Sequence, residues 1–525
     1  MLGMMLIGTV TAFRSPDSDP CSANDDCNSP FTNCNNGYCE HKNVFPVEWQ
    51  EMIGALIVFF AISLGNAVGI GGGSIIVTVA ASLFYLSAKQ AVAVANMTIF
   101  FACVTGYILN FKAKHPLKNA TLVNYGIVQA QMPLIGLGSF IGAQLNEVFP
   151  EVIIFILLFL TLVYATYTTF ALAIETSQKE ERVDVERKEI SVGRRVKAII
   201  RKQDREQDGT GEIPDVTTPM VEGDAPQHVN DSFVSVQSNH DEIIGGEVVR
   251  PEVTYEDKDI KDIDLVHLIG ARKAIYAPEE INPVLEGIFF GDQNHFTIDK
   301  FILVLVPFSS IAIISLFRGS TSFKSVIGVT RCNFMDFFLF GLECLILLFF
   351  SVINIVLLKK DHQTRRAFGY KFVRGDIDWN NETITAFAVL GFVVGLIGSM
   401  VGLSTEVLLT PFYIKFGTPP GVAGVTSQFL GIFATLGGLI VFSFNGYMHF
   451  PMGIWLGAFG AVATAIGSTT VGAFIGSTGK ASVPILIIAS LILASLIAEG
   501  ATGIIRTIDN NNDGKDIWEL GNYCD

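Results

Sequence analysis

The sequence predicts an all-α polytopic membrane protein, with about 10–12 transmembrane helices in two inverted repeats whose helices are broken at glycines. Three observations carry this. The chain has 525 residues, 50% hydrophobic and 16% charged, against about 25% charged in soluble domains, and its apolar residues fall in blocks of about 20, enough to cross a bilayer. Two stretches recur: "VGIGGGSIIVT" (68–78) aligns with "VGLSTEVLLTP" (401–411), Gly69 opposite Gly402, and "SAKQAVAVANMTIF" (87–100) aligns with "TPPGVAGVTSQFLG" (418–431). Seven crossings separate the copies, and an odd number threads the second upside down, as in many secondary transporters.

The N-terminal "MLGMMLIGTVTAF" places a secretory signal over 1–18, although without a basic leading region. Residues 19–48 form a Cys-rich module in which Cys21, Cys27, Cys34 and Cys39 stand among Asn, Asp, Gly and Pro. Too few apolar residues are present to fold without cross-links, so two disulfides in an oxidising compartment are expected. Zinc fits less well, because no CxxC pair occurs and only His41 is near.

The first transmembrane repeat covers 51–174, in blocks 51–68, 73–86, 88–111, 121–146 and 151–174. Residues 175–298 hold 27 of the 50 acidic and 15 of the 35 basic residues with few apolar runs, and read as an acidic, mostly disordered loop able to bind partners. Two linking helices follow over 299–358, then the second repeat over 384–505, with its short block at 404–416, and an acidic tail over 506–525. Lys and Arg crowd 179–205, "NFKAKHPLK" (110–118) and "KKDHQTRRAFGYKFVR" (359–374). The positive-inside rule makes these cytosolic and leaves both termini exoplasmic. Sequons at Asn119, Asn230 and Asn381 then face the cytosol. The loop 319–332, with Lys324 and Arg331, is the one mild dissent.

A helix tolerates "GNAVGIGGGSIIV" (65–77) poorly, so the glycines need a reason. Glycine lets the backbone leave helical geometry, and the N–H groups opening the next half-helix present a positive end to an anion. Backbone groups at Gly71, Gly72, Gly73 and Ser74 are the expected seat, completed by Asn96, Thr98, Ser404, Thr405, Thr426 and Ser427. On this reading Gly72 is the sensitive position and Gly65 tolerates alanine. The competing explanation is close helix packing, since Gly69 and Gly73 satisfy G-x-x-x-G. Gln129 and Gln131 face either the cavity or a neighbouring helix.

At the other end, Asp509, Asn511 and Asp513 match the first half of a calcium loop, but Leu520 stands where a bidentate Glu is needed. A solvated tail explains them as well. No cofactor and no nucleic-acid partner is implied. An enzyme is disfavoured, because no nucleophile elbow, phosphate loop or metal-binding His cluster appears. A receptor or scaffold using the loop and the Cys-rich module is the alternative, but neither requires inverted repeats with broken helices. A plasma or endomembrane location fits equally.

"GNAVGIGGGSIIV", "AVAVANMT", "NFKAKHP" and "QMPLIGLGSFIGAQLNEVFPE" resemble the first half of the sulfite exporter TauE/SafE family, and "GLIGSMVGLSTEVLLTPFYIKFGTPPGVAGVTSQF" resembles its second. The Cys-rich start and the long insert resemble additions in members from eukaryotic microbes. The resemblance implies a transporter, generally an exporter, of small sulfur-containing anions such as sulfite or organosulfonates. Where the family commonly repeats the glycine run in its second half, this chain sets Ser404, Thr405 and Glu406 opposite Gly71, Gly72 and Gly73. Intramembrane carboxyls are often proton relays, so Glu406 suggests proton coupling, with a structural hydrogen-bonding role as the alternative.

Overall fold

The computed structural model describes residues 21–23, 31–35, 38–42, 44–67, 69, 71–207, 282–295, 298–319, 324–373, 375–478, 480 and 482–512. A short antiparallel hairpin, β1 (Thr32–Asn35) and β2 (Tyr38–His41), pairs Cys34 with Cys39 in register. Cys21 is bonded to Cys34, and Cys39 is also in a disulfide; Cys27 and the expected signal at 1–18 lie outside the described residues.

The other elements among the described residues are helices. The first repeat comprises α1 (Trp49–Ala67), α2 (Gly73–Ser82), α3 (Ala88–Asn110), α4 (Tyr125–Val148) and α5 (Glu151–Gln207). Between the repeats stand α6 (Pro283–Gln293), α7 (Ile298–Arg318) and α8 (Phe334–Ala367). The second repeat comprises α9 (Asn381–Val401), α10 (Thr405–Lys415), α11 (Pro420–Phe444), α12 (Phe450–Thr478) and α13 (Ser482–Asn512). Among the described residues nine helices are long and apolar enough to cross a membrane. The Pro-containing α7 adds a shorter apolar stretch, and α2 and α10, of 10 and 11 residues, are the two short blocks.

Local chemistry sets the helix starts. Ser87 and Gln90 exchange side-chain and backbone hydrogen bonds in a capping box that opens α3, satisfying two N–H groups that have no partner inside the helix. Asn124 caps α4 and Asn380 caps α9 more simply, each side-chain oxygen accepting from backbone N–H groups of the first turn. Outer helices show lipid a continuous apolar stripe, as Leu345, Phe349, Val352 and Val356 do along α8.

The packing obeys the repeat. α4 lies on α9 as α12 lies on α1, α11 on α4 as α3 on α12, and α13 on α2 as α5 on α10. Helices α3 and α11 pair with one another, as do α5 and α13. Exchanging the two halves therefore leaves these neighbour relations unchanged.

At its described ends the insert is helical: residues 175–207 continue α5 as one helix, and 282–295 contain α6. Apolar Leu285 and Phe289 give α6 something to bury, Phe289 against Tyr370. Residues 208–281 lie outside the described part.

Candidate functional site

Each repeat opens with a helix that turns back before it can continue. After α1 the chain passes through Gly69 and Gly71 at φ 73° and 72°, a left-handed geometry that costs an L-residue about 1–2 kcal/mol. The Gly71 N–H donates to Gly65 O at 3.2 Å to close the turn. Helix α2 then runs back along α1, so close that a Cβ on Gly72 would stand 2.7 Å from Ile62 N. Gly402, at φ 76°, ends α9 likewise and sends the chain into α10.

The two tips meet near the middle of the molecule. A Cβ on Gly71 would lie 2.7 Å from both Ser404 Oγ and Glu406 Oε2, and one on Gly73 would lie 2.6 Å from Ser404 Cβ and 2.8 Å from Ile99 Cδ1, halfway along α3. A Cβ on Gly69 would lie 2.7 Å from Gly424 Cα. Neither α2 nor α10 has a side-chain cap, so the positive ends of both helices converge on one small cavity. Its volume of ≈ 10 Å³ admits about one water.

The carboxyl of Glu406 forms part of the wall. Cys103 Sγ donates to its Oε1 at 2.9 Å, while Oε2, Ser404 Oγ and Thr405 Oγ1 are buried without a hydrogen bond.

Of the expected seat, Gly71, Gly72, Gly73 and Ser404 line this cavity with Glu406, and Ser74 and Thr405 lie in the first turns of α2 and α10. The remaining four stand apart, because each spends its polar group elsewhere. Asn96 Nδ2 donates to Val92 O and Thr98 Oγ1 to Val94 O, both at 2.9 Å, and the Thr98 methyl packs towards Gly460 of α12. Thr426 Oγ1 accepts from Asn124 N at 3.0 Å, and Ser427 Oγ pairs with Thr410 Oγ1 at 2.7 Å.

Sequence reasoning passed over Asn66, which lines the cavity, donates to Thr464 Oγ1 at 2.6 Å and accepts from Gln428 Nε2 at 3.4 Å. The signal was an amide inside the glycine stretch. Cys103, whose thiol donates to Glu406, stands seven residues from Asn96, on the same face of α3.

The glycine assignments also change. Gly65 is no tolerant control, since its Cβ would lie 2.5 Å from the Gly71 carbonyl carbon. Gly72 abuts the backbone of α1, so a side chain there damages the fold before it reaches any substrate. Gln131 bonds between helices, donating to Phe387 O at 2.9 Å and accepting from Tyr413; Gln129 lines a vestibule. Asp509 and Asn511 belong to the last turns of α13 rather than to a loop, and Asp513 lies outside the described residues.

That vestibule, of ≈ 800 Å³, opens on the face that carries the basic loops and is crossed by α6. Its cations are answered by carboxylates. Lys118 Nζ lies 2.5 Å from Asp376, and Arg365 holds Asp292 through two bonds of 2.8 and 2.9 Å. Burial first, then Lys118, pushes His115 down to about 4, against the pull of Asp376 and Asp292. On the opposite face burial, then His41, pushes His449 down to about 4.

Both histidines are neutral in the fold, whereas the unfolded chain protonates near 6.5. The unfolded state therefore takes up protons first as pH falls. Stability is expected to be whole above pH 6.5 and to decline from there towards pH 4. His115→Gln and His449→Gln should flatten that decline, measured as thermal midpoints in detergent from pH 7.5 to 4.5; an unchanged slope in the double variant would contradict the burial argument.

The model of the sulfite exporter TauE/SafE family matches residues 4–198 and 304–498. Sulfite exporter TauE/SafE family protein 3 of Arabidopsis thaliana is 22% identical, over 90% of this chain and 82% of its own length. Family protein 1 of the same plant is 20% identical over 87% and 84%. The probable membrane transporter protein YunE of Bacillus subtilis (strain 168) is 31% identical over 20% of this chain and 35% of its own. No solved structure matches. With two matching halves and a set of membrane-spanning helices packed as a repeat, the chain is an integral, multi-pass membrane transporter and belongs to the sulfite exporter TauE/SafE family.

Proposed function

We propose that the protein exports small sulfur-containing anions such as sulfite or organosulfonates by alternating access around the cavity between the two helix tips. The observation that carries this is the convergence of the uncapped N-termini of α2 and α10 on one buried space walled by Gly71, Gly73 and Ser404. Such ends attract an anion without any fixed cation, and a site at the meeting point of inverted repeats suits transport. A cavity with room for about one water is an occluded state; substrate enters when the tips separate. Glu406 takes and releases a proton as the anion comes and goes, because a carboxylate and an anion in one closed space repel unless one of them is neutralised.

The face bearing the basic loops is cytosolic and the hairpin face exoplasmic. Sequons Asn119, Asn230 and Asn381 are therefore expected to be bare in protein made in a glycosylating host, and mass spectrometry that found a glycan on any of them would reverse the orientation. Purified protein in liposomes is expected to move labelled sulfite down an imposed gradient. No flux above empty liposomes for sulfite or for short sulfonates would remove the substrate assignment.

A further inference from the structure

The route between the central cavity and the hairpin face is laid out along three helices. On α3, Cys103, Asn96 and Lys89 recur every seven residues, two helical turns and about 10 Å per step, so they share a face. Gly431 and Gly438 on α11 and Asn445 at its C-terminal cap recur in the same way. The two series meet rung by rung. A Cβ on Gly431 would lie 2.9 Å from Cys103 Sγ, and one on Gly438 would lie 3.3 Å from Asn96 Oδ1 and 2.5 Å from Ser399 Oγ. Ser399 Oγ is buried and makes no hydrogen bond, and Ser139 of α4 lies against the neighbouring Gly437. A seam of small and polar groups thus runs from the unpartnered oxygen of Glu406 towards the hairpin face.

The seam ends at a buried ionic knot. Glu147, at the end of α4, receives Arg331 Nη1 on Oε1 at 2.7 Å and Asn445 Nδ2 on Oε2 at 2.7 Å. Arg331 Nη2 also donates to Asn445 Oδ1 at 2.7 Å, and Lys89 Nζ donates to the Glu147 carbonyl at 3.1 Å. Arg331 belongs to neither repeat. It sits in the loop between α7 and α8, beside Cys332, which is disulfide-bonded.

From this geometry we infer that Arg331 is the latch of the exoplasmic gate: by bridging Glu147 and Asn445 it holds α4 to α11 and closes the seam as the outward half of the transport path. The inference rests on transport through the centre of the repeats, but not on the identity of the substrate. It also accounts for the basic residue that dissents from the positive-inside rule, since Arg331 is occupied in an ion pair rather than set against a membrane surface. Opening requires Glu147 to part from both the guanidinium and the Asn445 amide, and wetting of the seam then reaches Cys103.

Cys103 supplies a native reporter, because it is buried and, with Cys344, free among the described residues. In a Cys344→Ser background, cells or right-side-out vesicles are treated with a membrane-impermeant charged methanethiosulfonate and modification of Cys103 is followed, with Cys103→Ser as the blank. The unsubstituted gate is expected to protect Cys103. Arg331→Gln is expected to raise the modification rate at least tenfold, and Arg331→Lys, which keeps the charge but not the fork, to fall between. Because a lone buried Glu147 destabilises the fold, the double variant Glu147→Gln/Arg331→Gln is the decisive one. It removes the carboxylate together with its guanidinium partner and should label as fast as the single variant.

Protection equal to the parent in folded double variant overturns the gate. The readout needs no substrate, so failure of sulfite flux with intact gating would remove the sulfite assignment and leave the latch standing.

Discussion

Gly69→Ala and Gly424→Ala are each expected to lower the stability of the folded transporter, and Gly69→Ala by more. The two glycines sit one against the other where the repeats touch. A Cβ on Gly69 would lie 2.7 Å from Gly424 Cα, and one on Gly424 would lie 2.8 Å from Gly69 Cα. Backbone on both sides cannot move aside as a side chain can, so the tips must part. Overpacking of this kind costs about 1–3 kcal/mol. Gly69 alone adds the penalty of its left-handed backbone, about 1–2 kcal/mol, whereas Gly424 lies in the regular helix α11. Thermal midpoints and monodisperse yield in detergent measure both. Equal losses would contradict the left-handed turn, and no loss in either would contradict the close approach.

Glu406→Gln is expected to leave the fold intact and to stop proton-driven transport. The amide is isosteric, its oxygen still accepts from Cys103 Sγ, and volume-conserving changes of this sort cost less than about 1.5 kcal/mol. What is lost is the ability to carry a proton. Sulfite flux driven by an imposed pH gradient should fall to background, while exchange of labelled for unlabelled sulfite, which needs no net proton movement, should persist. Gradient-driven flux at the parent rate would make Glu406 a structural hydrogen-bonding group. Loss of gradient-driven flux and exchange together, in folded protein, would place the carboxyl in anion binding rather than in coupling.

The glycine stretch shows how far residues alone lead. Its break is legible, because five glycines in nine positions cannot stay in a helix cheaply, and its recurrence at Gly402 is legible by alignment. What each glycine faces is not. Gly72 meets the backbone of α1, Gly73 meets Ser404 and Gly71 meets Glu406, although the three are adjacent in sequence. Those neighbours depend on the sense in which α2 folds back and on the depth to which the second tip enters, and no local pattern carries either.

Asn96, Thr98, Thr426 and Ser427 make the same point from the other side. Polar residues in an apolar helix attract attention in a sequence, but a hydroxyl or amide in a helix can satisfy itself on the carbonyl one turn back. Thr98 does so on Val94 O and Asn96 on Val92 O. Conversely, Arg331 stands in the sequence only as a mild dissent from the positive-inside rule, 184 residues from the carboxylate it pairs with.

By itself the sequence determined the membrane class, the helical blocks, the internal repeat and the places where helices break, since each follows from local composition, bilayer thickness and periodicity. Tertiary structure alone decided which groups share the cavity, that Glu406 stands between two helix N-termini, and that Arg331 ties α4 to α11. The physical reason is that these contacts join residues far apart in the chain across helices packed almost to backbone contact, where the rotation or depth of one helix exchanges every partner of the next.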